Sequence, residues 1–372
     1  GLSIGGHAMA EAAFRELSLR SVEPEAEGAV VLDFEVPAAF AGEFARLPGQ
    51  YLTLKAEVQG KELRRCYSIC SGIDDPRLRV AIKPVEGGAF SGWASSALRA
   101  GQRLAVLPPQ GNFRFEPDPA RARRVLCIAA GSGITPVISI VDSLLSREPR
   151  SEVTLIYGNR RTASIMFREE LGFLKNRYLA RFNWINILSR EEQDAAVLHG
   201  RINNRKGGEL QRRHLISIRD FDEFYLCGPE GLISEVSRGL RAEGIPESRI
   251  HFELFYSNPE DAQQVIRKHH ARGERFGGRL SEVTVRVGGR SGSFELAADG
   301  ENILDAAMGA GLDVPWSCKG GVCATCKAKL LEGEVEMDLN HALGPEEVAA
   351  GFVLSCQAHP LSERVVLDFD QT

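Results

Sequence analysis

Four cysteines crowd the last quarter of the chain at a spacing that suits an inorganic cluster. A pair of irons needs four thiolate ligands, and the candidates here are Cys318, Cys323, Cys326 and Cys356. The first three follow the C-x4-C-x2-C spacing of [2Fe-2S] proteins, and the fourth lies far downstream. Gly320 and Gly321 permit positive φ in the loop and carry no side chains, so backbone N–H groups can approach the sulfurs.

A zinc site and a set of unrelated thiols are the two alternatives to a cluster. A structural zinc more often uses two separate C-x2-C knuckles, and four unrelated buried cysteines would need no particular spacing. A disulfide framework is disfavoured because we expect a reducing compartment. The remaining cysteines are scattered singly, at Cys66, Cys70, Cys127 and Cys227. The clustering of the other four therefore predicts a [2Fe-2S] centre.

A second candidate site is the segment Arg65-Cys66-Tyr67-Ser68, which is predicted to be a strand. Because side chains alternate along a strand, Arg65 and Tyr67 project to the same face. There a guanidinium could grip a pyrophosphate, and a tyrosine could pack against an isoalloxazine. Taken alone, the motif is weak, because a strand arginine is usually a solvated charge and a strand tyrosine is usually half-buried packing. Downstream, Gly88 and Ser91 open a predicted helix whose first N–H groups could bind phosphate, which favours a flavin site.

A glycine-rich turn follows the apolar strand VLCIAA. Its backbone could come close to a dinucleotide pyrophosphate, and its residues of interest are Gly131, Gly133, Thr135 and Pro136. The pattern is G-x-G-x-x-P, a departure from the G-x-G-x-x-G of ordinary dinucleotide-binding dehydrogenases. Arg160 ends the next predicted strand, where it could pair with a ribose 2′-phosphate. A solvated strand-end arginine is an equal alternative for Arg160.

The predicted elements change character along the chain. Up to about Phe115, short alternating segments broken by Gly and Pro predict an antiparallel β-barrel. From Arg123, strands alternate with helices, which predicts a parallel sheet of βαβ units. Residues 259–280 are polar, charged and broken by glycine, and are interpreted as a linker. Beyond them, a hairpin and the helix ENILDAAMGAGL precede the cysteine loop.

Bulk composition excludes several functions. The chain has 45 basic and 50 acidic residues, so nucleic-acid binding has no electrostatic support. No apolar run approaches the ~18 residues of a membrane span, and the start lacks a secretory pattern. We therefore expect a cytoplasmic protein without a membrane partner. Residues 1–8, ahead of Met9, are interpreted as a remnant foreign to the native chain.

These motifs together resemble known families. NILDAAMGAGLDVPWSCKGGVCATC is similar to the helix-to-cluster segment of plant-type ferredoxins. The Arg-Cys-Tyr-Ser strand, with the flanking segments 48–50 and 109–113, resembles the flavin domain of the ferredoxin–NADP reductase superfamily. The order of domains is that of a class of oxygenase reductases. Within it, the chain most resembles the reductase subunits of bacterial phenylacetyl-CoA epoxidases, from Ala10 to the C-terminus except for the linker.

The resemblance implies roles for particular residues. Arg65, Tyr67 and Ser68 would bind the flavin, with FAD favoured over FMN. A superfamily Cys-Gly-Pro motif near the nicotinamide matches Cys227, Gly228 and Pro229, and superfamily positions close to the flavin match Glu253 and Phe255. Cys227 and Glu253 become catalytic candidates in this way. A small buried side chain is as good an interpretation of Cys227, and an edge strand is as good an interpretation of Glu253 and Phe255.

The resemblance also implies a domain order and a reaction. The FAD-binding β-barrel would span residues 9–117, the NAD(P)-binding domain 118–258, and the α+β, β-grasp-like ferredoxin domain 281–372. Electrons would pass from NADPH, or less favourably NADH, through FAD and the [2Fe-2S] cluster to a diiron oxygenase. A reductase for a steroid or aromatic-ring hydroxylase fits the same motifs. A redox sensor that binds a partner without catalysis is the third hypothesis.

Overall fold

A computed structural model describes residues 13–84, 88–111, 113–188, 217–228, 230–254, 259–316, 321, 324–340 and 342–371. The chain divides into two compact units, residues 1–200 and 201–372. The first contains the barrel strands and three parallel strands. The second contains two further parallel strands and the cysteine-rich domain.

The first unit begins with a six-stranded antiparallel sheet. Its strands are β1 (Arg15–Pro24), β2 (Val30–Glu35), β3 (Tyr51–Val58), β4 (Lys61–Ser68), β5 (Leu78–Ile82) and β6 (Arg103–Val106), in the order β4-β3-β6-β1-β2-β5. A bridge between Ile69 and Val80 brings the ends of the two edge strands together. Helix α1 (Ala89–Ala97) covers the core with Phe90. The antiparallel barrel predicted from the sequence is confirmed.

The rest of the first unit is built from βαβ units. Its elements are β7 (Arg124–Ala130), α2 (Ile134–Arg147), β8 (Glu152–Asn159), α3 (Arg168–Arg177) and β9 (Phe182–Leu188). Strand β8 pairs in parallel with both β7 and β9. Strands β7 and β8 are buried along almost their whole length, as expected where both faces of a parallel sheet are covered.

The second unit opens with another βαβ unit. Strands β10 (Glu223–Gly228) and β11 (Ile250–Leu254) pair in parallel, with α4 (Glu230–Ala242) between them in the chain. These strands and those of the first unit confirm the parallel-sheet prediction. The domain boundary at residue 258 stays a prediction.

Most of the segment interpreted as a linker is a helix, which the sequence analysis did not predict. Helix α5 spans Pro259–Phe276, and only residues after it are irregular. The assignment of residues 259–280 as a linker stays a prediction. Gln264, Lys268 and Arg272 are polar but four residues apart, so they form one helical face that hydrogen-bonds to the following domain. Their polarity serves this contact rather than exposure to solvent.

The last domain is an α+β fold. Its elements are β12 (Leu280–Val287), β13 (Arg290–Ala297), α6 (Ile303–Gly309), β14 (Lys327–Glu332), β15 (Val335–Met337), α7 (Pro345–Ala349), β16 (Phe352–Leu354), β17 (Ala358–Pro360) and β18 (Arg364–Asp368). The main sheet has the order β13-β12-β18-β14-β16, with β12 parallel to β18. Helix α6 contributes Ile303, Leu304 and Ala307 to the core of the domain. The predicted ferredoxin-like α+β domain is confirmed.

Within the described part of the chain, none of the helices combines the length and apolar character needed to cross a membrane.

Candidate functional site

Arg65 and Tyr67 share one face of β4, as the alternation of a strand requires. The register places Arg65 opposite Leu54 and Tyr67 opposite Leu52, both of which are fully buried. The guanidinium of Arg65 is exposed, and its Nη1 donates to the carbonyl of Arg64 at 2.8 Å. It forms no ion pair with any carboxylate in the described ranges, so this charge remains available to an anionic ligand.

Tyr67 is part of a small aromatic group with helix α1. Its ring centroid lies 6.0 Å from that of Phe90, which in turn makes an edge contact with Trp93 at 5.6 Å. Burial raises the pKa of Tyr67 to about 12, although the charge of Arg65 opposes the rise. The phenol therefore stays protonated near neutral pH and can donate a hydrogen bond.

Helix α1 packs against the same tyrosine through its first turn. Gly88 is the N-cap of this helix and supplies no capping side chain. Ser91 lies in that turn and is buried, as is Ser68 at the end of β4. Arg65 and the first turn of α1 are the groups in this part of the barrel that could bind a phosphate.

Two loops that the sequence singled out close the end of the barrel. A Cβ at Gly49 would lie 2.3 Å from the carbonyl oxygen of Phe113, so only glycine allows this approach. Gly49 also has a φ of +97°, in the region that favours glycine. The Tyr51 N–H donates to the carbonyl of Gln110 at 2.8 Å, which ties the second loop to β3.

The glycine-rich turn after β7 leads directly into α2. Gly131 has a φ of +55°, and a Cβ there would meet nothing within 4 Å, so the turn faces open space. Gly133, Thr135 and Pro136 are buried, and the Thr135 hydroxyl donates to the carbonyl of Ser132 at 3.1 Å. The open backbone of this turn fits the close approach of a pyrophosphate that the sequence predicted.

Arg160 follows β8 and is exposed. Nearby, the carboxylate of Glu27 accepts a hydrogen bond from Ser164 and forms an ion pair with Lys83 at 3.0 Å. These two groups, and the charge of Arg160, lower the pKa of Glu27 despite some burial. Glu27 and Lys83 were not predicted from the sequence, because they belong to the barrel and come near Ser164, which follows β8, only in the folded chain. The region carries a cluster of positive charge that one carboxylate partly neutralises.

Cys227 and Glu253 face each other across β10 and β11. They are register partners, and Cys227 is fully buried. Burial, and then the charge of Glu253, raise the pKa of the Cys227 thiol well above its usual value. Burial also raises the pKa of Glu253 to about 7. Gly228 ends the same strand, whereas Pro229 and Phe255 lie outside the described residues.

Two of the four predicted cluster ligands lie in the described chain. Cys326 and Cys356 are both buried. Ser355 links their segments, since its hydroxyl and its N–H donate to the carbonyl of Cys326 at 2.8 and 3.2 Å. Cys318 and Cys323 lie outside the described residues.

The loop between the ligands has the close approach expected around a cluster. Gly321 has a φ of +77°, and a Cβ there would lie 3.0 Å from the carbonyl oxygen of Leu339. The side-chain amide of Gln357 donates to the sulfur of Cys356 at 3.6 Å. Paired buried thiols, a glycine cradle and a donor aimed at sulfur fit a [2Fe-2S] centre held by Cys326, Cys356 and the two remaining cysteines.

Family models match all three parts of the chain. Residues 16–115 match an oxidoreductase FAD-binding domain, residues 127–238 an oxidoreductase NAD-binding domain, and residues 285–361 a 2Fe-2S iron-sulfur cluster binding domain. The flavin and cluster cofactors are therefore FAD and [2Fe-2S].

Curated relatives extend over nearly the whole chain. The 1,2-phenylacetyl-CoA epoxidase of Escherichia coli (strain K12) has a component that is 45% identical over 96% of this chain and 98% of its own. The ferredoxin reductase component of 3-ketosteroid-9-alpha-monooxygenase from Rhodococcus rhodochrous is 31% identical, and the match covers 95% of this chain and 96% of the relative. Among solved structures, phthalate dioxygenase reductase shares the fold with a TM-score of 0.52 and 24% identity, over 96% of this chain and 98% of that one.

Proposed function

We propose that this chain delivers electrons from NADPH to a diiron oxygenase. The chain belongs to the family of oxygenase reductases with FAD-binding, NAD-binding and [2Fe-2S] domains. The oxygenase would epoxidise phenylacetyl-CoA in aerobic phenylacetate degradation. The observation that carries this proposal is the 45% identity to the E. coli epoxidase component over almost the full length of both chains.

The chain itself has to place the cofactors and control their surroundings. Bound FAD can accept a hydride and release its electrons singly to the cluster. Arg65 and the first turn of α1 would hold the FAD phosphates, and Tyr67 would pack against the flavin and donate its hydroxyl hydrogen. The turn at Gly131 would receive the nicotinamide pyrophosphate. The buried cysteines Cys326 and Cys356 would keep two sides of the cluster away from water.

A preference for NADPH is supported by the charge near the end of β8. Arg160 and Arg161 are both exposed there. Lys83 belongs to the same cluster of positive charge, because it forms an ion pair with Glu27, whose pKa the charge of Arg160 also lowers. A ribose 2′-phosphate is doubly charged and would replace the single carboxylate of Glu27 as the main anion in this region. NADH offers only a hydroxyl at that position and would gain much less from these cations.

Cys227 and Glu253 are the residues that we place closest to the reacting atoms. The thiol of Cys227 stays neutral at pH 7, because its pKa is raised well above the usual value. Glu253, with a pKa of about 7, is divided between its neutral and ionised forms at that pH. Glu253 could therefore hold or release one proton near neutral pH, and its ionised form would stabilise the cation that a nicotinamide becomes on giving up hydride.

Reconstitution tests the whole proposal. Purified protein is mixed with a diiron phenylacetyl-CoA epoxidase, NADPH and phenylacetyl-CoA, and substrate consumption is followed with and without Cys326→Ser. We expect consumption that depends on wild-type protein. A second arm uses the oxygenase of a 3-ketosteroid 9α-monooxygenase, because a relative from that system is 31% identical. Support of the second oxygenase alone would reject the epoxidase and retain the electron-transfer function.

A further inference from the structure

Helix α5 is fastened to the cluster domain along a single face. Gln264, Lys268 and Arg272 are spaced by four residues and all reach the segment at Met337 and Asp338, where β15 ends. Gln264 Nε2 donates to the Asp338 carbonyl at 3.4 Å, and Lys268 Nζ donates to the Met337 carbonyl at 2.8 Å. A helix that only joined two domains would not need these contacts.

Arg272 makes the strongest of these contacts. Its Nη1 donates at 2.7 Å both to Oδ1 of Asp338 and to Oε1 of Glu336, and its Nε donates to the Ala298 carbonyl at 3.0 Å. The side chain is only 3% exposed. A buried guanidinium is retained where several good acceptors compensate its lost hydration, and their geometry becomes correspondingly fixed.

The acceptor Asp338 is joined to the segment that carries the fourth cluster ligand. Its N–H donates to the carbonyl of Gln357 at 2.9 Å, and the N–H of Leu339 donates to Gln357 Oε1 at 3.2 Å. With Oε1 fixed in this way, Gln357 Nε2 points at the sulfur of Cys356. The Asp338 carboxylate is also held by Nε2 of His359, at 2.9 Å.

The same segment also touches the cysteine loop. A Cβ on Gly321 would lie only 3.0 Å from the carbonyl oxygen of Leu339. Residues 336–339 therefore contact α5 on one side, and both the Gly321 loop and Gln357 on the other. Displacing them would disturb the glycine cradle and the donor to Cys356 together.

We propose that Arg272 is a positioning residue for the [2Fe-2S] cluster. It holds residues 336–339 in place, and these in turn orient Gln357 toward Cys356 and support the loop at Gly321. Arg272 also supplies a buried positive charge to a domain whose residues 281–372 contain 15 acidic and 6 basic side chains. Hydrogen bonds to cluster sulfur and nearby charge are the means by which a protein tunes a cluster. The inference needs the cluster and not the identity of the oxygenase.

The test compares Arg272→Met and Arg272→Lys with Arg275→Met in the full-length protein. Arg275 lies on the same helix, and its replacement by Met removes the same charge. Unlike Arg272, however, Arg275 is exposed and stacks on Phe276. Three readouts are used: the EPR spectrum of the reduced cluster, its midpoint potential, and the half-life of its visible absorption in a chelator. Flavin reduction by NADPH checks that the FAD-binding and NAD-binding domains are intact.

We expect Arg272→Met to shorten the half-life about 10-fold or more, because residues that orient metal ligands by hydrogen bonds typically contribute about 10- to 100-fold to metal affinity. Its EPR g-values should shift and its potential should fall, because Asp338 and Glu336 lose their buried counter-charge. Arg272→Lys should give a half-life, g-values and a midpoint potential between those of Arg272→Met and the wild type. Arg275→Met should match the wild type in all three. Arg272→Met indistinguishable from Arg275→Met in all three readouts would overturn the proposal. If Arg272→Met is insoluble, Asp338→Asn decides, since unchanged g-values and half-life there also overturn it.

Discussion

Cys227 and Glu253 are register partners on two parallel strands, and both have a pKa above the usual value for the side chain, so the neutral form of each is favoured. The pair lies near the carboxyl ends of β10 and β11. Carboxyl ends of parallel strands are where ligands bind in open α/β sheets. Burial raises both pKa values, and for Glu253 the value is about 7. A carboxyl at such an edge with a pKa near working pH is typical of a functional residue.

The first prediction concerns the pH dependence of stability due to Glu253. Its pKa rises from 4.5 to about 7 on folding, so between these pH values the folded protein binds more protons than the unfolded chain. Stability from this group is therefore highest below pH 4.5, falls as pH rises toward 7 and stays low above it. In Glu253→Gln the drop in Tm between pH 5 and pH 8 should shrink. Thermal scans check this, with exposed Glu363→Gln as control. An unchanged drop would place the Glu253 carboxyl in water.

The second prediction concerns the cluster. Cys326→Ser should remove or strongly perturb the visible absorption and EPR signal of the [2Fe-2S] centre, because a thiolate ligand is lost. Flavin reduction by NADPH should persist, since the FAD- and NAD-binding domains match residues 16–115 and 127–238, outside the cluster domain. Absorption spectra and stopped-flow reduction measure the two effects. Cys66→Ser is the control, because Cys66 is an exposed thiol on β4. A normal cluster in Cys326→Ser would contradict the ligand assignment.

The third prediction concerns cofactor choice. Arg160→Ala should weaken NADPH binding about ten- to a hundredfold, since a lost charge-assisted hydrogen bond costs roughly 1.5–3 kcal/mol. NADH should be nearly unaffected, because it lacks the 2′-phosphate. Steady-state KM values for both cofactors measure this, and Arg161→Ala separates the two neighbouring arginines. Equal losses for both cofactors would indicate structural damage instead.

The fourth prediction concerns the buried ion pair of Arg123 and Glu148. Arg123 Nη2 and Nε donate to the two carboxylate oxygens at 2.7 and 2.9 Å, and Glu148 is fully buried. Burial alone would raise the pKa of Glu148, but hydrogen bonds from Arg123, Asp118 and Ser151 outweigh it and lower the pKa. Glu148→Ala leaves a buried charge unpaired and should cost about 3–5 kcal/mol.

Urea unfolding of the first unit measures this loss. The matched control is Asp74→Ala, which removes an exposed pair with Arg147 at 2.7 Å and should cost no more than about 1 kcal/mol. The lowered pKa of Glu148 also means that its contribution is present at neutral pH and is lost as the pH falls through the folded-state pKa. Similar losses for the two variants would contradict the importance of burial.

The sequence predicted local patterns better than long-range contacts. The same-face placement of Arg65 and Tyr67 follows from strand alternation, and the glycine turn after β7 follows from a short motif. Glu27 and Lys83 could not be found in this way, since Glu27 contacts Ser164, after β8, from another part of the chain and Lys83 pairs with Glu27. Arg272 was not predicted for a related reason. The polar segment around it was interpreted as a linker, because the acceptors of its hydrogen bonds lie far along the chain.

The fifth prediction concerns the encounter with the oxygenase. Residues 281–372 have nine more acidic than basic side chains, whereas the whole chain has an excess of only five. An electron carrier that must deliver and then leave should bind weakly, through a small and polar interface. We therefore expect a basic docking surface on the oxygenase, and turnover that falls as salt rises, since exposed charges are screened over about 8–10 Å at physiological ionic strength.

Ionic strength can also act inside the reductase, so the measurement needs two arms. Substrate consumption by the reconstituted oxygenase is followed from low to high salt, beside NADPH-driven reduction of a small neutral acceptor by the reductase alone. Glu346→Gln with Glu347→Gln in α7, both surface carboxylates of the acidic domain, should lower turnover at low salt and flatten its salt dependence. The neutral acceptor should respond to neither change. If turnover with the oxygenase is independent of salt, apolar contacts rather than charge bring the two proteins together.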